Sequence, residues 1–507
     1  MSGTPDGTSG GTTRGTTGGT TRGTTDGITR GITRGTTDGI TGGTTGGTTG
    51  GTPERIDNGA SPARAAARAD RIYFDPANET LEPAPLRALQ LERLQLMVTF
   101  ACEHSAVYRE MCRAAGVEPA DIRTLGDVRR LPFIEKTTLR DTYPDGLRLC
   151  GLDAVIEVHS TSGTTGKPTP IWVTRRDMEA WALRNARSMW MVGLRPSDLL
   201  QNCFGYGLPT SIGLQYGAQH AGIGVVPAGI GRQELLIDLI MDLGVTALCT
   251  TPSYGLYLAD KAKERGIDLA TDSKLRVGLF GAEPWPESGR DRLSAALGVD
   301  AFNEYGMGEF LGPGMACECP VKEGMHVWSD HLLVECIDPE TCEPVADGAP
   351  GELVWTSLTS DSMAMIRYRS HDISSLSWAP CACGRTHPKI GRITGRSDDA
   401  LSIGGLVVFP SQIEEVLVRF DEFGSNFCLV VENVHNLDRL TLQVEIRGFD
   451  ELSDDGKARL ARKLASGVKA TVGVTPRMEL HAPYSLPRET AGQGKTACHR
   501  VDDRRSC

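Results

Sequence analysis

Hydrophobic periodicity divides the chain into an unpatterned head and a long body that switches between helical and strand spacing. Residues 1 to about 54 repeat a tetrapeptide, as in Gly11-Thr12-Thr13-Arg14 and Gly27-Ile28-Thr29-Arg30. A period of four is far below that of solenoid repeats. Almost no large apolar side chain is available there to offset the entropy of ordering, so disorder is expected. Folded sequence is predicted from Ile72-Tyr73-Phe74. Leu91, Leu94, Val98 and Ala101 mark the apolar stripe of a helix running towards Val107. A second helix is predicted to end at Gly116, a suitable C-cap. Val155-Ile156-Glu157-Val158 alternates as a strand does. After it, Leu199 to Phe204, Ile223 to Pro227, Ala247 to Thr251 and Leu275 to Phe280 are short apolar runs bounded by Gly or Pro. Helical stretches such as Gln233 to Met241 lie between them. The alternation predicts an α/β fold with mainly parallel sheets.

Past Arg396 the pattern changes. Phe427 to Val431 and Leu440 to Ile446 read as strands of a meander, Asp454 to Val472 as a helix and Met478 to His481 as a short strand. Together they predict a compact C-terminal α+β domain of roughly 110 residues. The expected organisation is a Gly/Thr-rich tail (1–54), a large N-terminal domain (55–395) and a small, mobile C-terminal domain (396–507). The polar junction Gly395-Arg396-Ser397-Asp398-Asp399 allows relative motion.

Composition narrows the partners. The 507 residues carry 53 Lys+Arg against 64 Asp+Glu, a net charge of −11, which argues against nucleic acid or an anionic membrane as partner. No apolar run approaches the roughly 18 residues of a membrane span, and no apolar signal region stands at the N-terminus. A soluble, cytoplasmic protein is expected. The 14 cysteines are irregularly spaced, which suggests reduced thiols and a metal site rather than a disulfide scaffold.

One loop stands out chemically. Ser160-Thr161-Ser162-Gly163-Thr164-Thr165-Gly166-Lys167-Pro168 follows the first strand. Its glycines permit φ > 0 and bring N–H groups close to an anion, while hydroxyls and Lys167 add donors and charge. A Walker P-loop would need Gly at Thr161 and Ser or Thr at Pro168, so that class of NTPase is excluded. By itself the loop is equally a polar linker or a polyphosphate cradle.

Five segments in order decide between these. Thr161 to Lys167, Gly281-Ala282-Glu283-Pro284, Asn303-Glu304-Tyr305-Gly306-Met307-Gly308-Glu309, Tyr368-Arg369-Ser370-His371-Asp372 and Gly395 to Asp399 resemble the acyl- and aryl-adenylating (ANL) superfamily. Thr251-Pro252-Ser253-Tyr254, Phe280 to Trp285, Cys317 to Trp328, and Cys383 through Glu415 resemble its phenylacetate–CoA ligase family. The resemblance runs from about Ile72 to Arg505. It implies that Thr161, Ser162, Gly163, Thr164, Thr165, Gly166 and Lys167 hold the β- and γ-phosphates of ATP, and that Glu309 ligates Mg²⁺. It implies an AMP site of Gly281, Ala282, Glu283, Asn303 and Glu304, with Tyr305 on the adenine face. Asp372 would accept from the ribose hydroxyls, with Arg396 nearby and Asp398 as hinge. Lys495, after Leu486-Pro487-Arg488, would reach the carboxylate and α-phosphate as the catalytic lysine. The bland alternatives are solvated loop carboxylates at Glu309 and Asp372 and a surface lysine at Lys495.

By the same resemblance Phe204, Tyr206 and Gly207, with the run Gly306 to Gly314, flank the carboxylic acid. Rings beside glycines suit a flat aryl group. Those runs contain no Lys or Arg, which favours a monocarboxylic acid. Cys319, His326, Cys381 and Cys383 would form a Cys₃His zinc site, with Cys317 as substitute ligand. The alternative is reduced core thiols and a hydrogen-bonded His326. The resemblance departs at Gly308, where Ser or Thr is expected, and at Gly404 and Val407, where Arg and Asn are expected. The implied activity is ATP-dependent formation of aryl-AMP, then of an aryl–CoA thioester, by a chain that could pair as a homodimer. The altered Gly404 loop keeps a second reading open, a stand-alone enzyme loading a carrier protein's phosphopantetheine. A nucleotide-binding regulator without turnover is a third.

Overall fold

The computed structural model describes residues 72–160, 169–206, 209–397, 401–403, 406–434, 437–486 and 501–504. Prolines at the first turn start helix α1 (Pro83–His104), where a missing N–H costs nothing. Its buried face is Leu86, Leu94, Met97, Val98 and Ala101. The predicted stripe towards Val107 is therefore interrupted. Ser105 takes an extended conformation, and its hydroxyl accepts from the Tyr108 N–H at the start of α2 (Ala106–Ala114). Gly116 lies just past that helix at φ +64°, as its C-terminal stop requires.

Strand β1 (Val155–Ser160) pairs antiparallel with β2 (Pro170–Thr174). Thr174 and Asp177 then form a capping box that opens α3 (Arg175–Met191). This helix is buried along much of its length, with Trp181, Asn185, Arg187 and Ser188 all enclosed. Next come β3 (Leu199–Asn202), α4 (Pro209–His220), β4 (Gly224–Val226), α5 (Gln233–Leu243), β5 (Ala247–Thr250), α6 (Pro252–Glu264), β6 (Val277–Gly281), α7 (Glu287–Leu297) and β7 (Asp300–Tyr305). The strands lie side by side in the order β4-β3-β5-β6-β7, every neighbour parallel. This is the half of the sheet that the strand–helix alternation predicts.

The same sheet continues antiparallel through β8 (Ala316–Glu318), β9 (Met325–Val327), β10 (Leu332–Ile337), β11 (Pro350–Ser357), β12 (Tyr368–Ser377), β13 (Lys389–Ile390) and β14 (Gly395–Arg396). The full sheet has 12 strands in the order β10-β11-β12-β13-β9-β8-β7-β6-β5-β3-β4, with β14 paired to β12. The architecture is thus mixed α/β, with the parallel pairing confined to one half. A smaller four-stranded sheet closes the chain. After the hairpin β15 (Leu401–Ile403) and β16 (Leu406–Val408) come α8 (Pro410–Leu417), β17 (Phe423–Val434), β18 (Leu437–Ile446), α9 (Asp454–Val472), β19 (Arg477–His481) and β20 (Val501–Asp503). Phe427, Leu442, Leu464, Val468 and Ile413 form its own core. No described helix is long and apolar enough to cross a membrane.

Candidate active site

The C-terminal ends of β6 and β7 meet at two backbone features. A Cβ on Gly281 would collide with the Glu304 carbonyl oxygen across the paired strands. Ala282 then turns at φ +66°, a left-handed conformation costly for any residue but glycine. Strain of this kind survives only where the surroundings fix it, and it aims the next side chain. Glu283 accepts from the Ser253 hydroxyl at 2.7 Å and the Ser253 N–H at 3.2 Å. Ser253 lies in the first turn of α6, where free amides favour a carboxylate.

Opposite them, β7 presents Asn303 and Tyr305 on one face. Tyr305 stacks on Trp355, ring centroids 5.5 Å apart and planes 21° apart, and its hydroxyl donates to Asp372 Oδ2 at 2.5 Å. The other Asp372 oxygen faces the Arg396 guanidinium at 3.4 Å, the two residues being register partners on β12 and β14. Asn303 lines a cavity of 220 Å³ with Trp285, Arg290, Lys389 and Arg392. Strand alternation turns Glu304 to the opposite face of β7, where it is buried.

Glu309 sits in a single 3₁₀ turn, Gly308–Phe310, and lines a small cavity of 40 Å³ with Arg184, His331 and Thr359. Burial, reinforced by Glu309, pushes the nearby Tyr368 phenol well up. Between Glu309 and β8 the chain doubles back tightly. A Cβ on Gly306 would lie 2.8 Å from Pro313 Cα, and one on Gly314 2.7 Å from Asn185 Nδ2. Phe204 is buried at the end of β3. Asn202 shapes that turn, its side-chain oxygen accepting from the Phe204 N–H at 3.2 Å and its amide reaching Tyr206 Oη at 3.4 Å.

A second cluster lies beside the first. One ligand atom each from Cys319, His326, Cys381 and Cys383 fall within 4.8 Å of one another. His326 Nε2 is 3.2 Å from Cys383 Sγ, and Cys319 Sγ is 3.7 Å from Cys381 Sγ. His326 Nδ1 lies 3.1 Å from the His387 carbonyl, which can only accept, so Nδ1 holds the proton and Nε2 turns its lone pair to the thiols. The Cys319 thiol, and after it His326, holds the Cys383 thiol far below its usual range. Three thiols and one oriented imidazole in a buried tetrad fit a tetrahedral zinc ion. Cys317 is outside this group; it is buried near Glu304 and Glu318.

The structure thus brings together Gly281, Ala282, Glu283, Asn303, Tyr305, Asp372 and Arg396. Thr161 to Lys167, Gly207, Asp398, Gly404 and Lys495 lie outside the described residues, as does the side chain of Val407. Trp355 and Ser253, which buttress the site, carry no spacing that marks them in advance. Ser253 nevertheless sits inside Thr251-Pro252-Ser253-Tyr254, a passage the resemblance picks out.

Known proteins resemble the chain over most of its length. The AMP-binding enzyme family matches residues 90–360, and the AMP-binding enzyme C-terminal domain matches residues 405–505. Phenylacetate-coenzyme A ligase of Thermus thermophilus is 40% identical over 437 residues, covering 83% of this chain and 98% of that protein. The enzyme of the same name from Escherichia coli K12 is 38% identical, covering 85% and 97%. Among solved structures, 2-hydroxyisobutyryl-CoA ligase in its postadenylation state with 2-HIB-AMP superposes with a TM-score of 0.79 at 29% identity, covering 89% of this chain and 95% of that one. The thioesterification state of that ligase, with 2-HIB-AMP and CoA, gives 0.64 over the same coverage. On the sequence relatives and the two matched domains, the chain belongs to the phenylacetate–coenzyme A ligase family of AMP-binding enzymes.

Proposed function

We propose that the chain activates an aryl carboxylic acid, phenylacetate or a close relative, and transfers it to CoA. The acid's carboxylate attacks the α-phosphorus of ATP, forming the acyl-phosphate bond of aryl-AMP and releasing pyrophosphate. The CoA thiol then attacks the acyl carbon, gives up its proton, and AMP departs with the bonding pair. The observation that carries this reading is the meeting of the Gly281–Ala282 turn, Tyr305 and the Asp372–Arg396 pair at the ends of β6 and β7. Ligands of α/β sheets bind in the crevice at the carboxyl ends of parallel strands. Asp372 takes the ribose hydroxyls, Tyr305 the adenine, and Glu283 and Asn303 its edge.

The Thr161–Lys167 loop cradles the β- and γ-phosphates. Glu309 supplies a hard carboxylate oxygen for Mg²⁺, which offsets charge on the phosphates. Cys319, His326, Cys381 and Cys383 hold a structural zinc that joins the β8–β9 turn to the segment before β13. The part of the chain after Asp398 turns about that residue between the two half-reactions, bringing Lys495 in for the first, while Arg396 stays on β14 of the large sheet. The closer match to a postadenylation state than to a thioesterification state supports two orientations. ATP and CoA, the cosubstrates, are pools of the cytoplasm, where we place the enzyme. Nothing in the geometry favours the carrier-protein reading, which rested on Gly404 and Val407.

Lys495→Ala tests the division of labour. It is expected to lose acid-dependent pyrophosphate release while still converting supplied aryl-AMP and CoA to the thioester. Unchanged pyrophosphate release by this variant refutes the role given to Lys495.

A further inference from the structure

Glu304 is the buried group that the proposed chemistry leaves without a task. It is 7% exposed, and its Oε1 has no hydrogen-bond partner among the described residues. A carboxylate oxygen enclosed without a partner is desolvated at a cost that an apolar residue of similar shape would avoid. Such an atom calls for an explanation. Asn185 repeats the pattern nearby. Its Nδ2 donates to the Trp181 and Pro313 carbonyls at 3.0 and 3.2 Å, while its Oδ1 is buried and unpartnered.

Several contacts place the two groups against the acid-binding loops. Asn185 Nδ2 stands 2.7 Å from where a Gly314 Cβ would be, and Gly314 is at φ +86°. Ser188 lies one turn along α3 from Asn185. Burial pushes the Glu304 carboxyl up to about 8, with the Gly314 N–H and Ser188 hydroxyl pulling the other way. Burial and then the neighbouring Glu304 raise the Cys249 thiol. Cys249 packs in one core with Phe204 and Phe302. Glu304 therefore stands beside Gly314 and next to the core that holds Phe204.

We infer that Glu304, assisted by Asn185, determines acyl specificity by selecting an aryl acid whose distal end carries a hydrogen-bond donor, a hydroxyl or an amino group. This deepens the proposed adenylating role and rests on it. Both unpartnered oxygens accept, so a donor satisfies them and a bare ring does not. A carboxylate oxygen accepts from either substituent, a phenolic O–H or the N–H of an aryl amine, which is neutral near pH 7.

The test is acid-dependent ATP–pyrophosphate exchange with phenylacetate, 4-hydroxyphenylacetate and 4-aminophenylacetate. Wild type, Glu304→Gln and Glu304→Leu are compared by the ratio of kcat/KM between acids, which cancels any loss of folded enzyme. Wild type is expected to favour a substituted acid over phenylacetate by at least ~10-fold, because a site built for a polar group rejects an analogue lacking it. Glu304→Leu should reverse the order. Glu304→Gln, whose amide oxygen still accepts, should keep both preferences in weakened form. Phenylacetate activated best by wild type, or ratios unmoved by Glu304→Leu, overturns the inference while leaving adenylation intact. No exchange with any of the three acids overturns both.

Discussion

Asp372 does two things with two oxygens. One accepts from Tyr305 at 2.5 Å and the other faces Arg396 at 3.4 Å, so its charge organises both walls of the proposed nucleotide site. Asp372→Asn keeps the shape and can still accept from Tyr305, but it loses the charge-assisted part of each bond. Hydrogen bonds to charged groups contribute about 1.5–3 kcal/mol. The variant is therefore expected to raise KM for ATP by roughly 10-fold or more and to lower the thermal midpoint, since the weakened bonds are internal to the fold; an unaltered KM in ATP–pyrophosphate exchange would remove Asp372 from the site. Asp372, Tyr305 and Glu309 were legible in the sequence as residue types in ordered motifs. Their contacts were not, since Tyr305 and Asp372 are 67 positions apart and only the sheet joins them. Glu304 shows the opposite limit. Reading Asn303 to Tyr305 as one motif groups three residues that the period of two sends to opposite faces of β7. Asn185 and Ser188 gave no signal, being polar residues in mid-helix that resemble a solvated face until α3 is seen to be buried.

At the scale of elements, legibility followed length and alternation. Strands β3 to β6 were readable because helices separate them, each strand being a short apolar run between turn residues. Helix α9 spans Asp454–Val472, the bounds its apolar period predicts, with Leu460, Leu464, Val468 and Val472 buried. The antiparallel half was not readable. Strands β8, β9, β13 and β14 are two or three residues long, too short to show any period. What orders them is tertiary pairing, and a zinc ion held by the proposed Cys₃His site would supply a second tie. Protein purified without chelator is expected to carry about one equivalent of zinc by metal analysis, and stripping it should lower the thermal midpoint by at least about 3 °C, since an ion bound only by the folded state adds to its stability. Less than about half an equivalent, or no shift on stripping, leaves three reduced thiols and an imidazole as ordinary core.

For the molecule as a whole, the 12-stranded sheet fixes the nucleotide wall. The four-stranded unit packs against α6 and α7, where Arg292 donates to the Gly424 carbonyl at 2.9 Å and Tyr484 reaches Asp260 at 3.3 Å. Tyr484 also packs edge-on against Tyr257 of α6, ring centroids 4.8 Å apart, and the Arg292 guanidinium lies over the Phe423 ring at 5.7 Å. The central claim, an acid activated as its adenylate and passed to CoA, is tested most directly by product analysis. Purified enzyme with ATP, Mg²⁺, CoA and phenylacetate or 4-hydroxyphenylacetate is followed by mass spectrometry, with a phosphopantetheinyl carrier protein in place of CoA as the parallel arm. The account predicts acid-dependent AMP and pyrophosphate in equal amounts, with an aryl-CoA thioester matching them. ADP in place of AMP, or a thioester formed on the carrier and not on CoA, would contradict it.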